Sequence, residues 1–218
     1  MEVFHLEETP STMQEAAGRF RGVPVLVTAD RQTAGRGRTG ATWVHADRAV
    51  AASLAFAPAW DSQHHSLIPL VAGLSAAATF DVELKWPNDL IYQGLKAGGI
   101  LVEKSGDTVV VGLGVNLFWG APIAGATARF VTDPGAEAAT RLATSWASDL
   151  VGRLEADPAA WGRSEYERLC VTIGTAVAWE PGGSGQALGV DERGRLVVET
   201  AVGLAVLDSG EVRHVRTT

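Results

Sequence analysis

Four short stretches carry residue types that pack poorly as core and suit chemistry. They are Ala29–Trp43 (ADRQTAGRGRTGATW), Lys85–Asp89 (KWPND), Lys96–Glu103 (KAGGILVE) and Gly112–Asn116 (GLGVN). The first holds Gly35, Gly37 and Gly40, with Arg31, Arg36 and Arg38, and nothing aliphatic larger than alanine. Glycine lets the backbone take positive φ and approach a ligand closely. Arginine brings a charged fork that matches carboxylate or phosphate oxygens. Apolar runs, Val23–Val27 and Ala49–Phe56, lead in and out. A long loop slung between buried strands is usually functional or disordered. The expectation is that it is mobile when empty and closed over an anionic ligand when full.

Taken singly, each signal has a duller explanation. Ser11 and Gln14 fit a capping box at a helix start, so Ser11-Thr12 can be capping alone. Lys96 can be a solvated strand-end lysine. Asp89 suits a turn after Pro87, and Asn116 suits the end of a strand. Arg31 falls to the surface. No Ser-His-Asp, CxxC, HExxH or Walker-type phosphate loop is present, so nucleophilic hydrolysis, zinc chemistry and P-loop hydrolysis lack support.

Bulk properties narrow the class. The chain has 218 residues with 46% hydrophobic and 20% charged content, ordinary for a globular protein with a sizeable core. Its net charge of −7 disfavours nucleic acid, with the arginine loop a local exception. Cys170 is the single cysteine, which fits a reducing compartment, and burial is its default role. The first ten residues lack the pattern of a signal peptide, and no apolar run is long enough to span a bilayer.

Periodicity and turn residues give the scaffold around these stretches. A helix is expected from Ser11 to about Gly22, with Met13, Ala16, Ala17 and Phe20 on one face. Strands are expected at Val23–Thr28 and Ala49–Phe56. A buried helix spans His64–Phe80, starting nearer Leu67 because Pro69 is tolerable only in the first turn. His64 and His65 are surface or cap residues. Strands come next at Val82–Trp86, Leu90–Tyr92, Lys96–Glu103 and Thr108–Val115. Gly98, Gly99, Gly112 and Gly114 weaken these strands unless a ligand or backbone approaches there. After an irregular segment, Trp119–Asp133, two Asp-Pro signals open helices to about Glu155 and Cys170, with Pro134 at the first helical position. Five short strands, at Thr175–Trp179, Gln186–Val190, Leu196–Thr200, Leu204–Leu207 and Val212–Val215, then suggest a small barrel. Pro181–Gly185 reads as a loop within it. About 48 residues is marginal for an independent core, so this unit should dock on the main body.

In order and together, Ser11-Thr12, Gln32–Arg38, KWPND, KAGGILVE and GLGVN resemble the biotin–protein ligase family over nearly the whole chain. The resemblance implies an α+β fold. Residues 1–170 would form a mixed-sheet catalytic domain like that of class II aminoacyl-tRNA synthetases, and residues 171–218 a C-terminal SH3-like β-barrel. It implies the enzyme-only form, without an N-terminal DNA-binding domain, in the cytoplasm. The implied reaction makes biotinyl-5′-AMP from biotin and ATP with Mg²⁺. A lysine of a biotin carboxyl carrier protein domain of acetyl-CoA carboxylase then takes the biotin.

Residue by residue, the family pattern puts Ser11, Thr12, Met13 and Gln32 on biotin. Arg36, Gly37 and Arg38 wrap the acyl phosphate. Lys96, with Arg36 and Arg38, is catalytic. Trp43 flanks adenine. Asn88, Asp89 and Asn116 face the magnesium triphosphate, with Asp89 on the metal and Lys85 assisting. Two departures stand out. Met13 replaces the usual Asn after Ser-Thr, which bears on the biotin contacts. Thr39 stands where many members carry another arginine, which loosens the loop. Two other functions stay open: a lipoate or octanoate ligase or transferase of the same fold, and a nucleic-acid-binding protein using the Arg-Gly loop. Nothing in the sequence decides monomer from homodimer, and neither nucleic acid nor membrane is an expected partner.

Overall fold

Alternation of side chains across strands builds two unlike faces on one sheet. The computed structural model describes residues 1–208 and 213–214, without the side chains of Thr39, Arg213 and His214. The Thr39 departure therefore lies outside the described side chains. Strands β1 (Glu2–Thr9), β2 (Val25–Gln32), β3 (Arg48–Phe56), β4 (Glu83–Lys85), β5 (Asp89–Tyr92), β6 (Leu95–Ser105) and β7 (Thr108–Phe118) form a seven-stranded sheet. Its order is β1-β2-β3-β7-β6-β5-β4, with β1 and β2 parallel and the rest antiparallel.

On β7, Val109, Val111, Leu113, Val115 and Leu117 turn to one face and join the main core. Helices α2 (Ile68–Phe80) and α3 (Ala136–Leu154) cover that face. Helix α2 is apolar almost all round, so it is buried between the sheet and α3. Trp146 of α3 is fully buried, and its indole N–H donates to the Ala72 carbonyl at 3.1 Å. The other face of β7 presents Val110, Gly112, Gly114 and Asn116. Helix α1 (Thr12–Arg19) packs there, with Met13 and Ala16 against Val25, Val27, Ala55 and Val110. Beyond α1 the glycine-rich strand surface is left bare.

Helix α4 (Arg163–Leu169) leads to a second, antiparallel sheet of β8 (Ala176–Trp179), β9 (Gly183–Val190), β10 (Leu196–Thr200), β11 (Gly203–Leu207) and β12 (Arg213–His214). Its order is β11-β10-β9-β8-β12. It docks on the main body as expected. Val177, Ala187, Val190, Leu196 and Val198 join the main core. The buried Trp86 indole donates to the Gly194 carbonyl at 3.0 Å, and the Thr172 hydroxyl takes the Trp86 N–H at 3.0 Å. Among the described residues no helix is long and apolar enough to cross a membrane.

Several local expectations are corrected. Strand β1 has no counterpart among the expected elements; as an edge strand it buries only Thr9, so its apolar signal is thin. The Ser11 side chain makes no capping bond and α1 ends at Arg19, so the capping box does not form. The start of α2 next to Leu67 is as expected: a 3-10 turn at Ser62–Leu67 precedes it and Pro69 falls in its first turn. Helix α3 starts after Gly135, whose φ of 85° excludes Pro134 from the helix. The second Asp-Pro opens only a 3-10 turn, Pro158–Ala160, and Gly162 at φ 100° separates it from α4. Strand β9 absorbs Gly183–Gly185 of the expected loop. Of the expected last strand, Val212 and Val215 lie outside the described residues.

Candidate active site

The bare strand surface is the floor of a cavity of about 490 Å³. A Cβ on Gly114 would meet the ring of Trp43 at 2.7 Å, and one on Gly112 would meet the Met13 sulfur at 3.0 Å. These glycines therefore admit two large side chains flat against the sheet, which explains their presence inside a strand. The cavity is lined by Ser11, Thr12, Met13, Gln32, Arg36, Gly37, Arg38, Trp43, Lys85, Asn88, Asp89, Lys96 and Asn116. The structure thus brings together every site residue named from the sequence.

One end is neutral and hydrogen-bonding. The start of α1 points Thr12 at Gln32, whose Oε1 accepts from the Thr12 N–H at 2.9 Å and from its hydroxyl at 3.1 Å. Ser53 of β3 shares a hydrogen bond with the same hydroxyl at 2.8 Å. Ser11 and Met13 flank this cluster, and all but Gln32 are buried.

The middle is cationic. Arg36, Arg38, Lys85 and Lys96 line it against a single carboxylate, Asp89, in a chain of net charge −7. Lys85 and Asp89 face each other across the turn between β4 and β5. The Lys96 ammonium donates to Asp89 at 2.5 Å. Arg38 donates to the Asn88 side-chain oxygen at 3.0 Å, while the Asn88 amide N–H donates to the Ile100 carbonyl at 2.8 Å. Arg36 pairs with Glu103 at 3.5 Å, both half exposed, so this contact is weak.

The arginine loop is the roof. A bridge between Arg36 and Thr42 narrows it into a small hairpin, closed by Gly37 N–H to Ala41 O at 2.6 Å and Trp43 N–H to Gly35 O at 3.0 Å. Its base is pinned by the Gln32 N–H donating to His45 Nε2 at 3.1 Å. Burial, aided by the Arg31 charge, holds the His45 imidazole below its ordinary pKa. A neutral ring is what that acceptor role needs. Arg31 itself is exposed and pairs with Glu8, as expected of a surface residue.

The far end carries two buried polar atoms without partners, Trp43 Nε1 and Asn116 Oδ1. Asn116 spends its N–H on the Thr127 carbonyl at 3.0 Å. Its side-chain oxygen is left as an unpaired acceptor at this end. Asn116 lines the cavity, as the sequence reading expected. Trp119, Ile123 and Ala126 wall this end. These three, with Ser53 and His45, are site residues that the sequence reading missed. The small-residue texture of 119–128 was the one signal for Trp119, Ile123 and Ala126, and Ser53 and His45 had none.

Among the described residues Asp89 is the only carboxylate lining the cavity, and no cluster of three or more His, Cys, Asp or Glu is placed to hold a metal. A tight all-protein metal cage is therefore absent among them. One hard oxygen donor beside a phosphate site is compatible with magnesium carried in on a polyphosphate.

Known proteins share this arrangement. The biotin/lipoate A/B protein ligase family matches residues 7–116, and the biotin protein ligase C-terminal domain matches residues 184–215. The biotin–[acetyl-CoA-carboxylase] ligase of Mycobacterium tuberculosis is 34% identical, over 88% of this chain and 79% of its own. The enzyme of that name from Paracoccus denitrificans is 37% identical, over 59% of this chain and 60% of its own. The biotin protein ligase of Aquifex aeolicus, solved with biotin and ATP, superposes with a TM-score of 0.83 at 25% identity, covering 99% of each chain. With an N-terminal match of this extent, a C-terminal match and a relative aligned over most of both chains, this chain belongs to the biotin protein ligase branch of the biotin/lipoate protein ligase family.

Proposed function

We propose that this protein activates biotin with ATP and transfers it to a lysine of a biotin carboxyl carrier domain, as in acetyl-CoA carboxylase. One observation carries this: a neutral hydrogen-bonding end, a cationic middle and an aromatic end lie along one cavity under one loop. The fused ureido ring of biotin both donates and accepts, which suits Ser11, Thr12 and Gln32. Met13 supplies apolar contact rather than a further amide. The biotin carboxylate must approach a polyphosphate, and like charges need screening. Arg36, Arg38, Lys85 and Lys96 supply it where charge develops.

In the first step a carboxylate oxygen attacks the α-phosphorus, forming the acyl–O–P bond and breaking the bond to pyrophosphate. Lys96 is the catalytic cation, placed to reach both carboxylate and α-phosphate, and Asp89 would hold a magnesium ion. That ion would neutralise phosphate charge. Arg36 and Arg38, with Gly37 between them, close over the mixed anhydride and keep water out. Trp43 flanks adenine, and the Asn116 acceptor suits its exocyclic amino group. In the second step the neutral amine of the carrier lysine attacks the acyl carbon, and AMP leaves.

Mass spectrometry of the protein incubated with biotin and Mg-ATP tests this. The expected result is bound biotinyl-5′-AMP, discharged when a carrier domain is added. Transfer of lipoate or octanoate with no biotinyl adenylate would move the protein to the sister branch of the family. The C-terminal match to biotin ligases favours biotin. Tight, salt-sensitive RNA binding without adenylate would remove it from ligase chemistry altogether.

A further inference from the structure

Segment 119–130 is rich in Gly and Ala and has little regular structure, yet it walls the aromatic end of the cavity. Something must hold it. Backbone bonds tie it to both flanking strands: Lys96 N–H to Gly125 O at 3.2 Å, Thr127 N–H to Lys96 O at 2.9 Å, Arg129 N–H to Asn116 O at 2.9 Å and Phe130 N–H to Leu117 O at 2.8 Å. The only side chain in the segment with a comparable hold is Arg129, among the described residues.

Its guanidinium lies over two rings, 4.6 Å from the centre of Tyr92 and 5.5 Å from that of Phe130. Nε donates to the Phe80 carbonyl at 2.5 Å, Nη1 to the Tyr92 hydroxyl at 3.3 Å, and Nη2 pairs with Asp81 at 3.0 Å. Phe80 is the last residue of α2, and Asp81 is its left-handed C-cap at φ 52°. Terminal helix carbonyls lack intrahelical partners and attract cations. Arg129 thus fastens a soft wall to the rigid end of a buried helix. Its side chain is only 21% exposed, so the fork is held by packing as well as charge.

We infer that Arg129 is a positioning residue for the nucleotide. It is not among the residues that line the cavity. It acts through the adjoining chain, holding Thr127 against Asn116 and Ala126 against Lys96. This rests on the ligase reading above, which puts adenine at this end. Loosening the clamp should weaken ATP use while leaving the biotin end, across the cavity beside α1, undisturbed.

The test is biotin-dependent exchange of labelled pyrophosphate into ATP, by wild type, Arg129→Met and Arg129→Lys. Arg129→Met should raise KM for ATP about tenfold and leave KM for biotin within about twofold. Arg129→Lys keeps the charge but not the fork or its planar contact with the rings, and should recover part of the loss. A folded Arg129→Met with unchanged KM for ATP, or with both KM values raised equally, overturns the inference. If Arg129→Met does not fold, Tyr92→Leu removes one ring and one hydrogen bond at the same clamp. It should raise KM for ATP about threefold, and no change there overturns the inference equally. Absence of any exchange by the wild type would instead sink the ligase reading, and the inference with it.

Discussion

At the scale of single residues, function here depends on side chains whose ordinary partners have been taken away or spent. Lys96 is held by Asp89, in a cavity where a second anion would compete for it. We predict that Lys96→Ala lowers adenylate formation at least about 100-fold, the scale of losing one charge-stabilising donor. Its thermal unfolding should match wild type, because the side chain is half exposed. Pyrophosphate release near the wild-type rate would remove Lys96 from its role. Gly114 makes a complementary case. Gly114→Ala puts a methyl group where the Trp43 ring lies, 2.7 Å away, so the indole must lift from the sheet. Overpacking of this kind costs about 1–3 kcal/mol. Calorimetric titration should show ATP binding weakened more than biotin binding, and equal affinity for both in mutant and wild type would refute that. These residues were recognisable from their order along the chain. Their partners were not: Ser53 and His45 reach the site from 41 and 13 residues away along the chain.

At the scale of elements, the arginine loop is a roof fixed by its base. His45 accepts the Gln32 N–H only while neutral, and its pKa is lowered from the ordinary 6.5, chiefly by burial. The unfolded chain takes up the proton at the ordinary value and the folded chain resists it. Stability from this contact is therefore full above about pH 6.5 and declines as pH falls from there towards the lower folded value. Biotin and adenylate retention should weaken as pH falls below about 6.5, and His45→Gln should flatten that profile in equilibrium binding. A His45→Gln profile as steep as that of the wild type would locate the titration elsewhere. The helices show the limits of local signals. Asp133-Pro134 and Asp157-Pro158 look alike in sequence, yet one precedes a 19-residue helix and the other a single 3-10 turn. The difference lies in the placing of the next positive-φ glycine. Gly135 directly succeeds Pro134 and opens α3, whereas Gly162 comes only after the 3-10 turn and Trp161.

At the scale of the whole molecule, one tryptophan joins the turn between β4 and β5 to the second sheet. The Trp86 indole of KWPND is buried and bonded to Gly194. Trp86→Phe keeps a ring but orphans that carbonyl, at a cost of about 1–3 kcal/mol. We predict a Tm lower by roughly 2–10 °C in a single calorimetric transition, since the two sheets share one core. Two resolved transitions would show that the sheets unfold apart. The amino-acid order alone carried the two-sheet plan, the alternating faces and the set of charged and glycine residues that meet at the cavity. The strand pattern comes from local periodicity, and the site set from the resemblance that the motifs carry in their order. It took the folded chain to establish which face the cavity lies on, that Asn116 offers an acceptor, and that Arg129 clamps the wall. Those properties belong to pairs of atoms far apart in the chain, and no local pattern encodes which distant partner a side chain will meet.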